Sequence, residues 1–303
     1  MQHQANKPYR FQSLTDFHQV FGLPSPVHPL VSFIRIENMK IPEKQLANQL
    51  VLDYYKIAYK DTLGKAKYGQ HYYDFGEGGL VFTSPNQLFE KPGNGKHKGF
   101  ILLVHPDFLL AHPLARKIKQ YGFFSYNTNE ALHLSEKEKE TIFAVFNIID
   151  EELNSRIDDF SQDVIISQIE LLLNYSNRFY KRQFITRKAE SVDLLQKMDD
   201  ILENYFNGKK SLLQGIPTVH YFADQLNISP SYLSDMLRSY TNQNAQQHIH
   251  HKLIEKAKEI LSTTNLSVAE VAYQLGFEYP QSFSRLFKSK TNLSPLEFRQ
   301  SFN

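Results

Sequence analysis

The chain has 303 residues, which is enough for two domains of ordinary size. Hydrophobic residues make up 41% of it and charged residues 22%, as in a globular protein with an ample core. The absence of cysteine excludes disulfides, thiolate zinc sites and cysteine nucleophiles, and the net charge of +2 provides no general basic field for nucleic acid.

The N-terminal residues and the hydropathy of the chain predict the cellular location of the protein. Residues Met1–Pro8 lack the basic and then apolar pattern of a signal peptide. No stretch approaches the roughly 20 apolar residues that a membrane-spanning helix needs. We therefore expect a cytoplasmic protein with no membrane partner.

The first third of the chain predicts β structure. Residues 1–30 are aromatic and contain several prolines, which favours an irregular arm with one short helix. Five segments rich in β-branched or aromatic residues follow, and turn residues separate them: 31–36, 50–59, 66–73, 79–83 and 99–104. Short strands at this spacing favour a small barrel or sandwich.

The segment 73–87 resembles the aspartate, glycine, apolar and proline run of cupin-like barrels. Cupins that hold a metal supply clustered histidines and a glutamate, whereas the histidines here are scattered: His71, His97, His105 and His112. We therefore expect no metal and no cofactor. A small barrel can still enclose one ligand. Four aromatic residues are candidates for an effector pocket, with plain core packing as the alternative: Tyr55, Tyr68, Tyr72 and Phe82.

A helical element is predicted over residues 113–183. Ser135 and Glu138 form a capping box that opens a helix with apolar residues from Ile142 to Leu153 at three- and four-residue spacing. The next helix, 162–181, has two apolar stripes. One stripe can pack on the barrel, and the other, with Val164 and Leu171, suits either dimerisation or an intramolecular helix pair.

A polar, basic hinge is expected at 181–190, so the predicted domains are 1–186 and 187–303. The second domain opens with an amphipathic helix over 192–206, after which Gly208 is placed to take the left-handed conformation that ends many helices. Thr218 is placed to cap the following helix.

A repeated pattern runs through this second domain. At an offset of 49, Val219, Ala223, Gln225, Leu226 and Ile228 correspond to Val268, Ala272, Gln274, Leu275 and Phe277. At an offset of 50, Leu233, Ser234, Leu237, Thr241 and Asn242 correspond to Phe283, Ser284, Phe287, Thr291 and Asn292. We therefore predict two helix-turn-helix units, with one residue inserted in the second near Tyr279.

In the second unit, Ser267 and Glu270 form a capping box for the supporting helix. Each unit ends in a predicted recognition helix, the first started by Ser229-Pro230 and the second by Pro280. The outward faces are Ser231, Ser234, Asp235 and Arg238 in the first helix, and Gln281, Ser284, Arg285 and Lys288 in the second. Gln can bond adenine and Arg guanine in bidentate fashion, and Ser can serve a base or a phosphate. Asp235 would repel phosphate unless it bonds a cytosine amine or pairs with Arg238. Solvated polar faces are the alternative interpretation.

Two further features concern this domain. Residues 192–303 contain eleven basic and eleven acidic side chains. Affinity for DNA must therefore come more from individual side chains at the right positions than from the net charge of the domain. A helix over 245–261 would hold the two units together. Histidines cluster near its start: His248, His250 and His251. We expect them to be solvated or to contact phosphate, because no acidic or cysteine ligand stands at metal-binding spacing.

The second unit resembles the signature of AraC-type transcriptional regulators. The resemblance rests on Ala272, Leu275-Gly276-Phe277, Phe283-Ser284-Arg285, Phe287-Lys288, Ser294-Pro295 and Phe298-Arg299. Asn292 stands where the family usually has Gly, but Asn tolerates positive φ. By motif position the resemblance implies DNA contacts at Ser231, Ser234 and Asp235, and at Pro280, Gln281, Ser282 and Arg285.

The sequence thus predicts an α+β protein: a small cupin-like barrel with a helical dimerisation element, and an all-α domain with two helix-turn-helix units. The resemblance implies promoter DNA, RNA polymerase, a second copy of the chain and a small-molecule effector as partners. We expect no catalysis. Two alternatives stay open: a cupin-type metal enzyme fused to a DNA-binding domain, and a regulator whose first domain only dimerises.

Overall fold

The computed structural model describes residues 7–42, 49–61, 65–68, 71–74, 78–90, 98–156, 158–208 and 210–301. The chain divides into two compact units, Met1–Gln183 and Phe184–Asn303. All strands of the described residues lie in the first unit, and the described part of the second is helical. The α+β class is therefore confirmed, and the predicted boundary at 186/187 stays a prediction.

The strands of the first unit form three groups. In chain order they are β1 (Tyr9–Phe11), β2 (Val31–Arg35), β3 (Gln49–Leu52), β4 (Tyr55–Lys60), β5 (Lys65–Tyr68), β6 (His71–Asp74), β7 (Gly79–Thr83), β8 (Leu88–Glu90), β9 (Gly99–Val104) and β10 (Leu132–His133). A five-stranded antiparallel sheet has the order β10-β7-β4-β9-β2, a three-stranded sheet the order β1-β3-β8, and β5 pairs with β6. Closure of these sheets into a cupin-like barrel stays a prediction.

Two predicted strands are each split in the structure. The segment 50–59 becomes β3 and β4, which lie in different sheets and are separated by Asp53 and Tyr54. The segment 66–73 becomes β5 and β6, which pair antiparallel with Tyr68 opposite His71. Composition marks strand-forming residues but not the point where a strand changes partner. The arm contains the expected short helix and also β1, which pairs in parallel with β3.

The helices of the first unit are α1 (Leu14–Val20), α2 (Leu114–Lys117), α3 (Glu136–Asn154) and α4 (Ser161–Thr186). The predicted capping box is present, because the Ser135 amide donates to the Glu138 carboxylate at 2.9 Å. The apolar residues predicted for α3 are all buried. None of the described helices is long and apolar enough to cross a membrane.

The segment 181–190, predicted as a polar hinge, is helical except at Arg187, because α5 begins at Lys188 and α4 continues as far as Thr186. Tertiary contacts hold its last turns. Arg182 forms a two-bond ion pair with Glu138, at 2.6 and 3.0 Å. The buried Gln183 side chain accepts from the His133 amide at 2.8 Å. Polar residues that sequence patterns assign to a linker are here bonded to the neighbouring helix and strand.

The two faces of the five-stranded sheet pack on different partners. One face presents Phe33 and Phe100, whose rings lie 5.8 Å from the Phe146 ring of α3. The other face presents apolar residues that join a core with α1 and the three-stranded sheet: Ile34, Ala58, Ile101 and Leu103. The interior between the two sheets is therefore distinct from the layer between sheet and helices.

The second unit consists, in its described residues, of α5 (Lys188–Asn207), α6 (Lys210–Gln214), α7 (Val219–Leu226), α8 (Pro230–Thr241), α9 (Ala245–Thr263), α10 (Val268–Gln274), α11 (Pro280–Thr291) and α12 (Pro295–Gln300). The expected left-handed Gly208 is wrong, since its φ is −84° and its amide still bonds the Asn204 carbonyl. With α6 starting at Lys210, the chain needs no sharp reversal there.

Candidate nucleic-acid interface

Helices α7 and α8 are joined by a tight turn whose geometry is set locally. Thr218 caps α7 by accepting from the Tyr221 amide at 3.2 Å. The chain reverses at Asn227, which has a left-handed φ of 55°. Ser229 then accepts from the Tyr232 amide at 3.2 Å, and Pro230 occupies the first turn of α8. The predicted caps at Thr218 and Ser229 are confirmed.

The faces of α8 follow from its periodicity. Tyr232, Leu233, Met236 and Leu237 are buried, whereas Ser231, Ser234 and Asp235 are partly exposed and Arg238 is exposed. The Arg238 guanidinium donates to the Asp235 carboxylate at 2.7 Å, which is the pairing considered from the sequence. In the free protein this face therefore presents a cation that already has an anionic partner.

Helices α10 and α11 repeat this arrangement. Ser267 and Glu270 form the predicted capping box of α10, and the chain reverses at Gly276 with φ of 89°. Pro280 begins α11, where the preceding Tyr279 makes no side-chain capping bond. Phe283 and Phe287 are fully buried beneath α11.

The exposed face of α11 differs from that of α8 in its free cations. Gln281, Ser282, Arg285 and Lys288 are exposed, and Ser284 is partly exposed. Within the described residues, neither Arg285 nor Lys288 forms an ion pair. The three long polar side chains Gln281, Arg285 and Lys288 lie at i, i+4 and i+7 and share one face. The face is therefore positive and open to an anionic or polar partner.

The internal repeat extends to hydrogen bonds. Helices α8 and α11 have 12 residues each. The Thr241 hydroxyl donates to the Leu237 carbonyl at 2.8 Å, and the Thr291 hydroxyl donates to the Phe287 carbonyl at the same distance. Asn242 and Asn292 end the two helices with φ of 57° and 63°. The prediction that Asn292 accepts positive φ is confirmed.

Helix α9 is anchored by a polar contact that the sequence did not predict. His248 is buried, and its Nε2 lies 3.0 Å from Asp199 Oδ1 of α5, while Lys252 donates to Asp199 Oδ2 at 2.8 Å. Burial alone would raise the pKa of Asp199, but these bonds outweigh it and lower the pKa. The expectation of a solvated or phosphate-bound His248 is therefore wrong. No metal-binding group of three His, Cys, Asp or Glu side chains occurs in the described residues.

The effector pocket considered from the sequence stays a prediction, although two of its four aromatic residues, Tyr55 and Phe82, both pack against Phe124, with ring centroids 5.1 and 5.5 Å away. Phe82 packs against Phe123 with ring centroids 4.4 Å apart, in the layer between sheet and helices. Tyr55 lines a cavity of about 410 Å³ together with residues that include Lys119, Tyr121 and Phe124. Tyr68 and Tyr72 lie on β5 and β6, and their side chains fall outside the described residues.

A family of helix-turn-helix domains matches residues 222–301. Curated relatives include an uncharacterized HTH-type transcriptional regulator in the cgkA 5′ region of Pseudoalteromonas carrageenovora, 34% identical over 103 residues, which cover 34% of this chain and 56% of that protein. The transcriptional activator RhaS of Escherichia coli is 27% identical over 150 residues, covering 50% and 49%. Histidine kinase P4 of Formosa agariphila is 25% identical over 144 residues, covering 47% and 10%.

The chain thus spans from a tenth to about half of the length of these relatives. Among solved structures, the C-terminal domain of AraT, a response regulator from Geobacillus stearothermophilus, is similar with 28% identity and a TM-score of 0.32, covering 36% of this chain and 84% of that one. The DNA-binding domain of AdpA, in complex with a target DNA, is similar with 21% identity and a TM-score of 0.30, covering 35% and 91%.

Proposed function

We propose that this chain, whose C-terminal unit contains an AraC-type helix-turn-helix domain over residues 222–301, is a sequence-specific DNA-binding transcriptional regulator. The observation that carries the proposal is the face of α11, which offers Gln281, Arg285 and Lys288 together on one side of a buried aromatic seam. In this proposal both helix pairs act as helix-turn-helix units. Helices α8 and α11 enter successive major grooves, about 34 Å apart along one side of the duplex.

The side chains of α11 suggest separate roles. Arg285 can donate two bonds to guanine, and Gln281 can bond adenine on both of its major-groove groups. Lys288, one turn further, neutralises a phosphate. Pro280 and Ser282 belong to the first turn, which approaches the DNA at the positive end of the helix dipole. Together these contacts combine base recognition with backbone anchoring.

We propose that the face of α8 contributes less to DNA binding than the face of α11. Ser231 and Ser234 can bond a base or a phosphate, but Asp235 is repelled by phosphate. Arg238 must leave Asp235 before it can bind DNA, unless the pair binds as a unit. We therefore expect α11 to contribute at least as much to base preference as α8.

The N-terminal unit is proposed to control this activity. A small-molecule effector would bind within its sheets, which we propose close as a cupin-like barrel. Homodimerisation would use α4, because Val164 and Leu171 of its second stripe remain exposed while Ile165 and Ile169 are buried. Promoter DNA and RNA polymerase complete the proposed set of partners.

Two other functions remain as alternatives. In the first, the N-terminal unit is a cupin-type metal enzyme, which would be supported by stoichiometric metal in the purified protein. In the second, it only dimerises and binds no ligand, which would be supported if no small molecule raises the melting temperature of that unit.

The DNA-binding proposal is tested by selecting fragments of the source genome with the full chain and repeating the selection with Arg285→Ala. We expect wild type to enrich one motif and Arg285→Ala to lose preference at one position, at roughly 1–3 kcal/mol of discrimination. Lys197→Ala, on the exposed face of α5, is the control and should leave the motif unchanged. An unchanged motif in Arg285→Ala would remove this residue from base recognition, and no enriched sequence with wild type would refute the function.

A further inference from the structure

The outward faces of α8 and α11 carry opposite charges at equivalent positions. Both helices have 12 residues and begin with proline, so Asp235 and Arg285 are each the sixth residue. Each follows a partly exposed serine, Ser234 or Ser284, in the same arrangement. A carboxylate only accepts hydrogen bonds, and a guanidinium only donates them. A DNA base that suits one of these positions therefore does not suit the other.

The Asp235 carboxylate has a neighbouring cation on its own helix. Arg238 Nη1 donates to Asp235 Oδ1 at 2.7 Å. The Asp235 side chain is 28% exposed and that of Arg238 57%, so both can be reached from outside the helix. A carboxylate has about four acceptor sites and a guanidinium about five donors, so the bond between them leaves each with capacity for a partner. The outward face of α8 therefore presents an acceptor and a donor side by side.

This pair suits the edge of a base pair better than it suits a phosphate. The two charges offset each other, so the pair has no net charge with which to attract a phosphate. A base pair in the major groove presents uncharged donors and acceptors next to each other. Binding as a unit also keeps the bond between Arg238 and Asp235, whereas separation would leave a carboxylate unpaired beside the DNA backbone.

The choice of base follows from the donors that the major groove offers. Only cytosine N4 and adenine N6 donate there. The adenine amine lies between two acceptors, its own N7 and thymine O4, and both repel a carboxylate. The cytosine amine has one such neighbour, guanine O6, and guanine O6 and N7 together suit a guanidinium. An acceptor and a donor side by side therefore match a C·G pair better than an A·T pair.

We propose that Asp235 accepts a hydrogen bond from cytosine N4 while Arg238 stays bonded to it, so that α8 selects a C·G base pair. The inference rests on the proposed function and names a base pair of the DNA site. Arg238 acts as a positioning residue, which holds the carboxylate and offsets its charge. Because Arg285 suits guanine, the two helices select bases of opposite hydrogen-bonding character, about 10 base pairs apart.

The base is tested by selection from random duplex DNA with the full chain, as wild type and as Asp235→Asn. We expect wild type to enrich a cytosine about 10 base pairs from the position that depends on Arg285. Asparagine bonds adenine N6 and N7 together, so Asp235→Asn should replace that cytosine with adenine, a change of roughly 5- to 150-fold in preference. Glu255→Gln removes a carboxylate from an ion pair of the same spacing, with Lys258 on α9, and should leave the motif unchanged.

The role of Arg238 is tested by the affinity of variants for the selected site. Arg238→Ala leaves the Asp235 carboxylate without its cation near the phosphates, so we expect binding to weaken about tenfold. Adding Asp235→Ala should recover part of this loss, because the repelled carboxylate is then gone. An ion pair that only stabilises α8 would change the melting temperature without producing this order of affinities. Arg238→Gln replaces Arg238→Ala if the latter does not fold.

The outcomes separate this inference from the proposed function. If wild type enriches a motif, three results overturn the inference alone: a cytosine that persists in Asp235→Asn, a wild-type preference for a base other than cytosine at the position that Asp235→Asn alters, or losses that simply add in the double variant. If wild type enriches no motif, the proposed function fails and the inference fails with it. A cytosine that becomes adenine supports both.

Discussion

Two arginines in the proposed recognition helices, Arg238 and Arg285, have different surroundings. Arg238 is bonded to Asp235 three residues earlier in the same helix, while Arg285 has no ion-pair partner in the described residues. The difference arises from one neighbouring position, since Ser282 stands three residues before Arg285. An unpaired guanidinium loses no protein contact when it binds a base. Arg285 is therefore better prepared for DNA than Arg238.

The lowered pKa of the single residue Lys56 predicts how the stability of the protein depends on pH. Its value of about 7 in the folded protein lies below the ordinary 10.5. Between these values the unfolded chain binds more protons than the folded one, so stability rises with pH across this window. Below pH 7 both states are protonated, and the destabilisation by the buried ammonium is fully present.

Lys56→Met should therefore be more stable than wild type near neutral pH, and this advantage should shrink as pH rises toward about 10. Urea unfolding of both proteins at several pH values measures the difference in free energy. Lys137→Met controls for the loss of a surface charge and should show no such trend. A difference that stays constant with pH would contradict the assigned burial of the Lys56 ammonium.

At the scale of elements, the turn between α10 and α11 depends on a close backbone approach. A Cβ atom at Gly276 would lie 2.5 Å from the Gly215 carbonyl carbon, and the φ of Gly276 is 89°. The turn is also held by the Ser211 hydroxyl, which donates to the Gln274 carbonyl at 2.7 Å. The segment before α7 therefore supports the second helix pair as well as the first.

Gly276→Ala should destabilise the C-terminal unit by about 2–4 kcal/mol, because left-handed strain and a backbone clash both apply. Gly215→Ala is the matched comparison. Its φ of 80° brings the same strain, but the nearest atom in its way is 3.5 Å distant, so we expect only about 1–2 kcal/mol. Chemical denaturation of both variants measures the two losses. Equal losses would show that the clash with Gly215 is relieved by a small backbone movement.

At the scale of the whole molecule, the exposed stripe of α4 is the surface proposed for association. Val164 is 37% exposed and Leu171 is 40% exposed, seven residues apart on one side of the helix. A second copy of α4 could cover both through an isologous contact. Burying apolar side chains against each other favours the dimer in proportion to the area removed from water.

A double substitution, Val164→Glu with Leu171→Glu, should therefore shift the protein from dimer to monomer in sedimentation equilibrium. Like charges would face each other across the two-fold axis, and the apolar contact would be lost. Lys137→Glu, an exposed change on α3, is the control and should leave the dimer intact. An unchanged mass for the double variant would move the interface away from α4, and a monomeric wild type would refute the dimer.

The elements whose ends and faces depend on residues nearby in the chain could be predicted from the sequence. Ser135, Ser229 and Ser267 cap helices as expected, and the repeat places α8 and α11 with equal lengths. Caps, helix periodicity and left-handed Asn residues each depend on neighbours within a few positions. For the same reason the outward faces of α8 and α11 follow from spacing alone.

Only the tertiary structure decided which polar residues are buried and where strands change sheets. Gln183 and His248 resembled solvated residues, yet each is buried against a partner about fifty positions away. The residues around Lys56 and Lys60 do not indicate that the two lysines are covered. Strand alternation shows that they share a face, but not that the three-stranded sheet packs on that face. Burial depends on what packs against a residue, and chain segments far apart in sequence supply that contact.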